Sequence, residues 1–496
     1  MLTLLLTTMA PLAEAGDFID VWVSTAFEDD NVRAGPEDYS PTANFVQRGN
    51  QTFFDNYEAR YPGDLTQSHL VLYRRDEANW DGWFTEAALV LQMTPFLDPD
   101  DTDPGVDLQD DGSYVRVFRN FDEEGRHNIS LTGYAVDASR FRLGYSYDLA
   151  YGGREIMART VGAMPGARVQ WEKNGSYLFA GAKTAISSRT QVEWEGDRNT
   201  AYYAGLAGGG LALGDNLRLE AGFGTFQQGQ LENVPDASSE LYGEIINARG
   251  ISGQLAYRST TDLNFIQSAE LRLYRNSPDM VRDTYIFHNQ LDGVGVLVQA
   301  EVNRLDHNLL DPNPADGTEG TVLEAALAGD VQTVLVINST ELGLDLVYKD
   351  LPYILFNIPG LTSGVALPDD LEHTPQLYMR ASATHYFPEA HFATGIGFGL
   401  MAPATYETSA GTYVQYDERN KEGVPDGADP ENILSAVWSN QLDISKSMVA
   451  IGQLMYTQDP NLSEVISDEQ GGTTRVAKAE NVQNSIGFNL ILRARF

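Results

Sequence analysis

The chain has no cysteine among its 496 residues. Disulfide frameworks, thiolate metal sites and cysteine nucleophiles are therefore excluded. Positive charge is scarce: 33 Lys and Arg stand against 70 Asp and Glu, a formal net charge of −37. A nucleic-acid surface needs clustered basic residues, so nucleic acid is not an expected partner. Long apolar runs are also missing. After Ala15 no apolar stretch reaches the about 18 residues that a membrane-spanning helix needs. Histidines are few, at 7, and none of His69, His127, His288, His307, His373, His385 and His391 lies in an H-E-x-x-H motif. No G-x-S-x-G occurs either. Nucleophilic chemistry needs a base beside its nucleophile, so the sequence predicts neither an enzyme nor a cofactor.

Residues 1–15 are apolar and end Ala13-Glu14-Ala15, an A-x-A pattern like the cleavage site of a secretory signal peptide. The basic residues that open such peptides are missing. The remainder, 16–496, contains no linker that would separate a second domain, and no repeat of fixed period.

What the chain does contain is alternation. Ile19, Val21, Val23, Thr25 and Phe27 oppose Asp20, Trp22, Ser24, Ala26 and Glu28. The same period of two recurs at 128–135, 140–149, 167–172, 217–224, 251–258, 269–274, 294–303, 341–349 and 377–384. Such a period marks β-strands with one apolar and one polar face. The mean hydropathy of −0.28 does not oppose a membrane location, because in a barrel only alternate residues meet lipid. Glycine (46) and tyrosine (24) are abundant, which suits strands and interfacial girdles. The polar parity is rich in Arg, Glu, Ser, Gly and Tyr, as expected of a wet lumen.

From Glu480 onward Val482, Ile486, Phe488, Leu490, Leu492, Ala494 and Phe496 share one parity, with Asn484 and Ile491 as exceptions. This segment resembles the terminal strand of Gram-negative outer-membrane β-barrels. The resemblance implies that Phe488, Leu490, Leu492 and Phe496 form the signal read by the barrel-assembly machinery. It also implies a bacterial outer-membrane location, with membrane lipid and lipopolysaccharide as neighbours.

Turn signals support the same fold. Asn174-Gly175 is a two-residue hairpin signature. Short links are expected at 79–82, 214–216, 260–264, 388–390 and 445–447. Long ones are expected at 29–66, 97–112, 229–241, 402–431 and 459–478. The sequence thus predicts an all-β, single-domain transmembrane antiparallel barrel of about 18 strands, within roughly 16 to 20. Short turns should face the periplasm and long acidic loops the outside. Around 134–165 and 275–320 short and long links fall out of phase.

A barrel of this size encloses an aqueous lumen unless loops plug it. The expected function is passive or facilitated passage of small polar solutes. The alternative is a plugged structural barrel whose acidic loops engage a partner, glycan or lipopolysaccharide. Inward parity makes Arg116, Arg140, Arg142, Arg168, Glu172, Arg218, Glu220, Arg258, Glu270, Arg272, Glu301, Asp345 and Arg380 the candidate pore lining. They would either guide polar or anionic solutes, the latter suited to the guanidinium fork, or pair with one another across the wall. The unusually apolar 351–368 offers Tyr353, Ile354, Phe356, Ile358 and Leu361 as a constriction or cap, the alternatives being a strand extension or a partner-facing patch. No metal is expected. Asp98, Asp100, Asp101 and Asp103 are weak Ca²⁺ candidates, since hard cations take carboxylate oxygens, but no EF-hand spacing surrounds them. Oligomeric state is not legible.

Overall fold

The computed structural model describes residues 19–35, 65–97, 104–110, 112–138, 141–146, 148–152, 163–189, 198–231, 241–263, 265, 291–313, 320–356, 364–416, 421–467 and 473–495. They form one closed antiparallel barrel of 18 strands. In chain order these are β1 (Asp20–Asp29), β2 (Leu65–Glu77), β3 (Trp83–Leu97), β4 (Pro104–Asp110 and Tyr114–Asn120), β5 (His127–Tyr134), β6 (Gly166–Lys173), β7 (Ser176–Arg189), β8 (Arg198–Leu213) and β9 (Leu217–Gln230). They continue as β10 (Ile245–Arg258), β11 (Val294–Leu310), β12 (Thr321–Ile337), β13 (Thr340–Lys349), β14 (Gln376–Phe387), β15 (Phe392–Ala402), β16 (Ile433–Ser445), β17 (Met448–Gln458) and β18 (Asn484–Arg495).

Each strand pairs with the next, and β1 closes the ring on β18, from Trp22 opposite Arg495 to Asp29 opposite Phe488. Closure leaves no wall strand with an open edge, which matters where no water can satisfy backbone groups. The two pieces of β4 both pair with β3, so one wall strand is interrupted beside Gly112.

Alternation places the two faces as expected. Leu131, Val169, Leu178, Leu211, Phe223, Leu255, Val302, Phe398 and Leu454 are exposed on the outer wall. Gln67, Gln92, Gln170, Gln254, Gln299, Gln332, Gln453 and Asn489 are buried on the inner one. Such a belt of apolar side chains is stable only against lipid, and the protein is an outer-membrane barrel. Ile491, an exception to the terminal alternation, turns inward and packs with Ala26 and Ile451. The terminal strand starts at Asn484; Val482 belongs instead to a one-turn helix, Glu480–Gln483.

Links at one rim are short. Asn174 (φ 51°) and Gly175 (φ 79°) make the two-residue turn between β6 and β7, where left-handed dihedrals match the twist of the strands. Residues 78–82, 214–216, 338–339, 388–391 and 446–447 are also short links on that rim. One link there is long. The expected short turn at 260–264 is only the start of a connection from Ser259 to Gly293, and the strand expected at 269–274, with Glu270 and Arg272, lies outside the described residues. The described part turns Leu263 back into the barrel mouth, where it packs with Leu297, Val334 and Val336.

The other mismatch lies at 134–165. The strand expected at 140–149 is not part of the wall. Its alternation is real, but its backbone pairs locally: Leu143 and Tyr151 exchange hydrogen bonds of 2.8 and 2.7 Å. Phe141, Leu143, Tyr145, Leu149 and Tyr151 are all buried. The segment folds inside the barrel, so apolar residues that would have met lipid meet the inner wall. Removing one apparent strand here brings the links back into phase. The acidic link expected at 97–112 is also shorter than the sequence implied, because Pro104–Asp110 extends the wall.

Candidate functional site: the infolded lumen segment

Five wall strands supply polar side chains that grip the infolded segment. Glu301 on β11 and Asp330 on β12 are register partners. Glu301 accepts hydrogen bonds from the backbone N–H of Tyr145 (3.0 Å to Oε1) and of Ser146, and from Ser252 Oγ at 2.9 Å. Ser146 Oγ donates to Asp330, which also accepts from Gln332 Nε2 at 2.8 Å. Two adjacent buried carboxylates are thus met by donors from the segment. Without them each would retain a desolvation cost of several kcal/mol.

On the opposite sign, Arg380 of β14 lies between Asp148 of the segment (2.5 Å) and Asp345 of β13 (3.2 Å), all three nearly inaccessible. Arg380 and Asp345 are cross-strand partners. The guanidinium therefore ties a wall pair to the segment with charge-assisted bonds. Lys183 of β7 reaches in from the other side and donates to the carbonyls of Phe141 (2.5 Å), Ala138 (3.3 Å) and Gly152. Asn303 Nδ2 donates to the Leu149 carbonyl at 2.8 Å. Gln228 Nε2 donates to the Tyr151 hydroxyl, and its Oε1 lies 3.1 Å from His307 Nδ1.

The apolar half of the seat is built from absent side chains. A Cβ on Gly222 would lie 3.1 Å from Leu143 Cδ1, and one on Gly181 would lie 2.7 Å from Phe141 Cε1. A Cβ on Gly250 would overlap Leu143 outright. Inward-facing glycines on β7, β9 and β10 thus form a depression that receives Phe141 and Leu143. Phe141 also meets Phe179 edge-on at 6.2 Å, and Arg168 lies over the Phe179 ring at 4.3 Å. Gly144 (φ 105°) turns the chain where an ideal Cβ would come within 3.1 Å of Glu301 Oε1.

The apolar stretch at 351–368 begins with a one-turn helix, Leu351–Leu355, whose N-cap Asp350 accepts from the Tyr353 N–H. Leu351, Pro352, Tyr353 and Ile354 are buried, as is Phe356. The Tyr353 hydroxyl donates to the Leu149 carbonyl, so this helix braces the infolded segment from above. Burial pushes the Tyr353 phenol above its usual range and raises Asp350 despite its backbone donors. Phe356 packs with Leu231 and with Ile246, Leu309 and Leu310 at the outer ends of β10 and β11. Ile358 and Leu361 lie outside the described residues.

The candidate lining residues separate into groups. Glu301, Asp345 and Arg380 are buried on the wall around the infolded segment, and Arg142, expected on a wall strand, is buried on the segment itself. Arg168 is buried on β6, where it donates to Gln170 at 2.5 Å. Glu220 accepts from the Tyr177 hydroxyl at 2.7 Å. Arg116 lies 3.9 Å from Glu86, which accepts from Tyr114 at 2.6 Å. Glu172 stands near the periplasmic rim, half-buried. Arg258 and Arg218 stack on Phe265 at the same mouth, and Arg258 donates to the carbonyls of Asp215 and Leu263. Arg140 lies outside the described residues, as do Phe496 and the acidic candidates Asp98, Asp100, Asp101 and Asp103. Phe488, Leu490 and Leu492 are exposed on the outer wall. Among the described residues no group of three or more His, Asp or Glu is arranged to hold a metal ion.

Lys183, Asp148, Asp330, Asn303, Gln228 and His307 were not singled out by the sequence. Lys183 carried a signal: a lysine on the inward parity of Ser176–Arg189, among Ala and Gly. Tyr114, Tyr177 and Tyr353 point inward and donate hydrogen bonds, whereas Tyr203, Tyr257, Tyr348 and Tyr456 are exposed on the outer wall.

Above the outer rim, 373–374, 404–408, 411–415 and 421–423 form a small sheet, with a hairpin of 463–467 and 473–477 beside it. Tyr416 donates to Asp459 at 2.7 Å, and burial pushes its phenol well up. Arg475 donates to the Tyr413 hydroxyl at 2.6 Å and lies over its ring.

No family model and no curated protein matches the chain. Solved structures of Pseudomonas aeruginosa outer-membrane proteins are similar in shape. OpdK aligns over 96% of this chain and 98% of its own, at 8% identity and a TM-score of 0.45. OpdQ aligns over 96% and 97%, at 7% identity and a TM-score of 0.46. OccK5 (OpdH) aligns over 96% and 97%, at 8% and 0.45. From its own ring of 18 strands, with an apolar wall outside and a polar one inside, the chain is a porin-like outer-membrane β-barrel.

Proposed function

We propose that the protein is a channel for small polar solutes whose bore is narrowed by the infolded segment. One observation carries this reading. The segment is fixed to the inner wall by carboxylates, a guanidinium and an ammonium drawn from β7, β11, β12 and β14. A pore needs a constriction of defined shape, and fixed charges at close quarters give it selectivity. Both signs are present there, so solutes that carry donors and acceptors are favoured over bulk ions of one sign.

The dry packing of Phe141, Leu143 and Tyr151 on the wall favours a second reading, a plugged structural barrel. Conductance of the refolded protein in a planar bilayer separates the two. Stable unitary steps support the channel. A silent bilayer, with heat-modifiable migration proving that the barrel folded, refutes it and leaves the plug.

A further inference from the structure

We infer that the outer wall carries a binding site for a phosphorylated lipid of the outer leaflet, formed by Arg249 and Arg304. The apolar face of β11 runs Val294, Val296, Val298, Ala300 and Val302. Ten residue steps of about 3.3 Å, on a strand tilted about 40°, put Arg304 about 25 Å above Val294. That is about the height of the apolar belt, so Arg304 stands in its outer part.

Its neighbour on β10 does the same. Ile251 is opposite Arg304, and Arg249 is opposite Asp306. The two arginines thus share the outer face in diagonal register on adjacent strands, within reach of one ligand. Arg304 is held by Asp306, which accepts from its Nε (3.0 Å) and one Nη (2.9 Å). Arg249 is exposed, with no partner among the described residues. Two guanidiniums against one carboxylate leave a net positive charge, which their long stems can carry to the level of lipid headgroups.

The surroundings suit an acylated ligand. Beside and below the pair, Ile251, Val302 and Leu327 are exposed by 56%, 58% and 43%, and Leu323, opposite Asn308, continues the apolar wall above them. Leu327 is the register partner of Arg304. Acyl chains would lie on this apolar wall while the phosphate meets the arginine forks, the geometry for which guanidinium is better suited than ammonium.

The test uses the whole refolded barrel in detergent. Native mass spectrometry compares retention of lipid A with that of the same lipid stripped of its phosphates, for the wild type and for Arg249→Gln/Arg304→Gln. The expected result is roughly tenfold stronger retention of the phosphorylated lipid, a preference of one charge-assisted contact, lost in the double variant. Equal retention of both lipids, or an unchanged double variant, overturns the site. Inorganic phosphate at millimolar concentration should not displace the lipid; full displacement would mean a plain anion site and overturn the lipid assignment. A dimer in the wild type that disappears in the variant would instead assign the patch to a second copy, and would equally overturn it. None of these results depends on conductance.

Discussion

Replacing Asp148 by Asn removes the charge that Arg380 meets at 2.5 Å while keeping the side chain's size. Arg380 retains Asp345 at 3.2 Å, so the guanidinium is not orphaned. A hydrogen bond to a charged group contributes about 1.5–3 kcal/mol, and the amide oxygen recovers about 1 of this. The loss is then about 0.5–2 kcal/mol, a two- to thirtyfold fall in the ratio of seated to unseated segment. Arg380→Met is a different perturbation, since it strands both Asp148 and Asp345 out of water. That costs about 3–5 kcal/mol. The double variant should cost less than the sum, because the two changes share one network. Urea unfolding of the barrel in lipid vesicles, followed by tryptophan fluorescence, gives the stabilities; single-channel current noise reports the segment's excursions. The expected order is wild type, Asp148→Asn, then Arg380→Met, with flicker rising along it. Should Arg380→Met unfold at the wild-type urea concentration and conduct as quietly, the clamp does not exist.

Gly250→Val should cost about 1–3 kcal/mol through overpacking against Leu143, measured by the same urea titration, with a raised open-channel current if the segment is pushed off its seat. Asn174→Ala forces a left-handed φ of 51° on a side chain that disfavours it, and should lower stability by about 1–2 kcal/mol without altering conductance. Burial raises the Glu422 carboxyl above its ordinary value of 4.5 in the outer sheet. The folded sheet therefore binds this proton more tightly than the unfolded one. The resulting stabilisation is complete below that ordinary value and is lost as pH rises through the raised one. Hydrogen exchange at Val414, corrected for intrinsic rates, should show more protection at acid pH than at neutral. Glu422→Gln should flatten the difference, and a pH response that survives the substitution would exclude Glu422 as its source.

The architecture was legible because lipid on one side and polar groups on the other impose a period of two on the wall strands. The infolded segment was not, and the reason is physical. Phe141, Leu143, Tyr145 and Leu149 alternate in the sequence as a wall strand does, but the segment is a bent loop held by a single bridge between Leu143 and Tyr151, and residues of both parities are buried. Periodicity reports that one face is apolar; it does not report whether lipid or an inner wall covers it. The partners that decide the matter, Glu301, Asp330 and Arg380, lie more than 150 residues away. The glycines of the seat, Gly222 and Gly250, were counted as strand composition. Their meaning depends on a side chain arriving from elsewhere.

The sequence positions of those partners set an order on assembly. Residues 135–152 emerge early, yet β11, β12 and β14, which supply Glu301, Asp330 and Arg380, come much later in the chain. The segment must remain uncommitted, with its aromatic side chains uncovered, until well over half of the wall exists. The segment hangs from the outer-rim link between β5 and β6, so it enters through the open mouth, and closing the β1–β18 seam does not shut it out. A barrel whose segment never seated would be a complete cylinder, intact by strand content and wrong in bore.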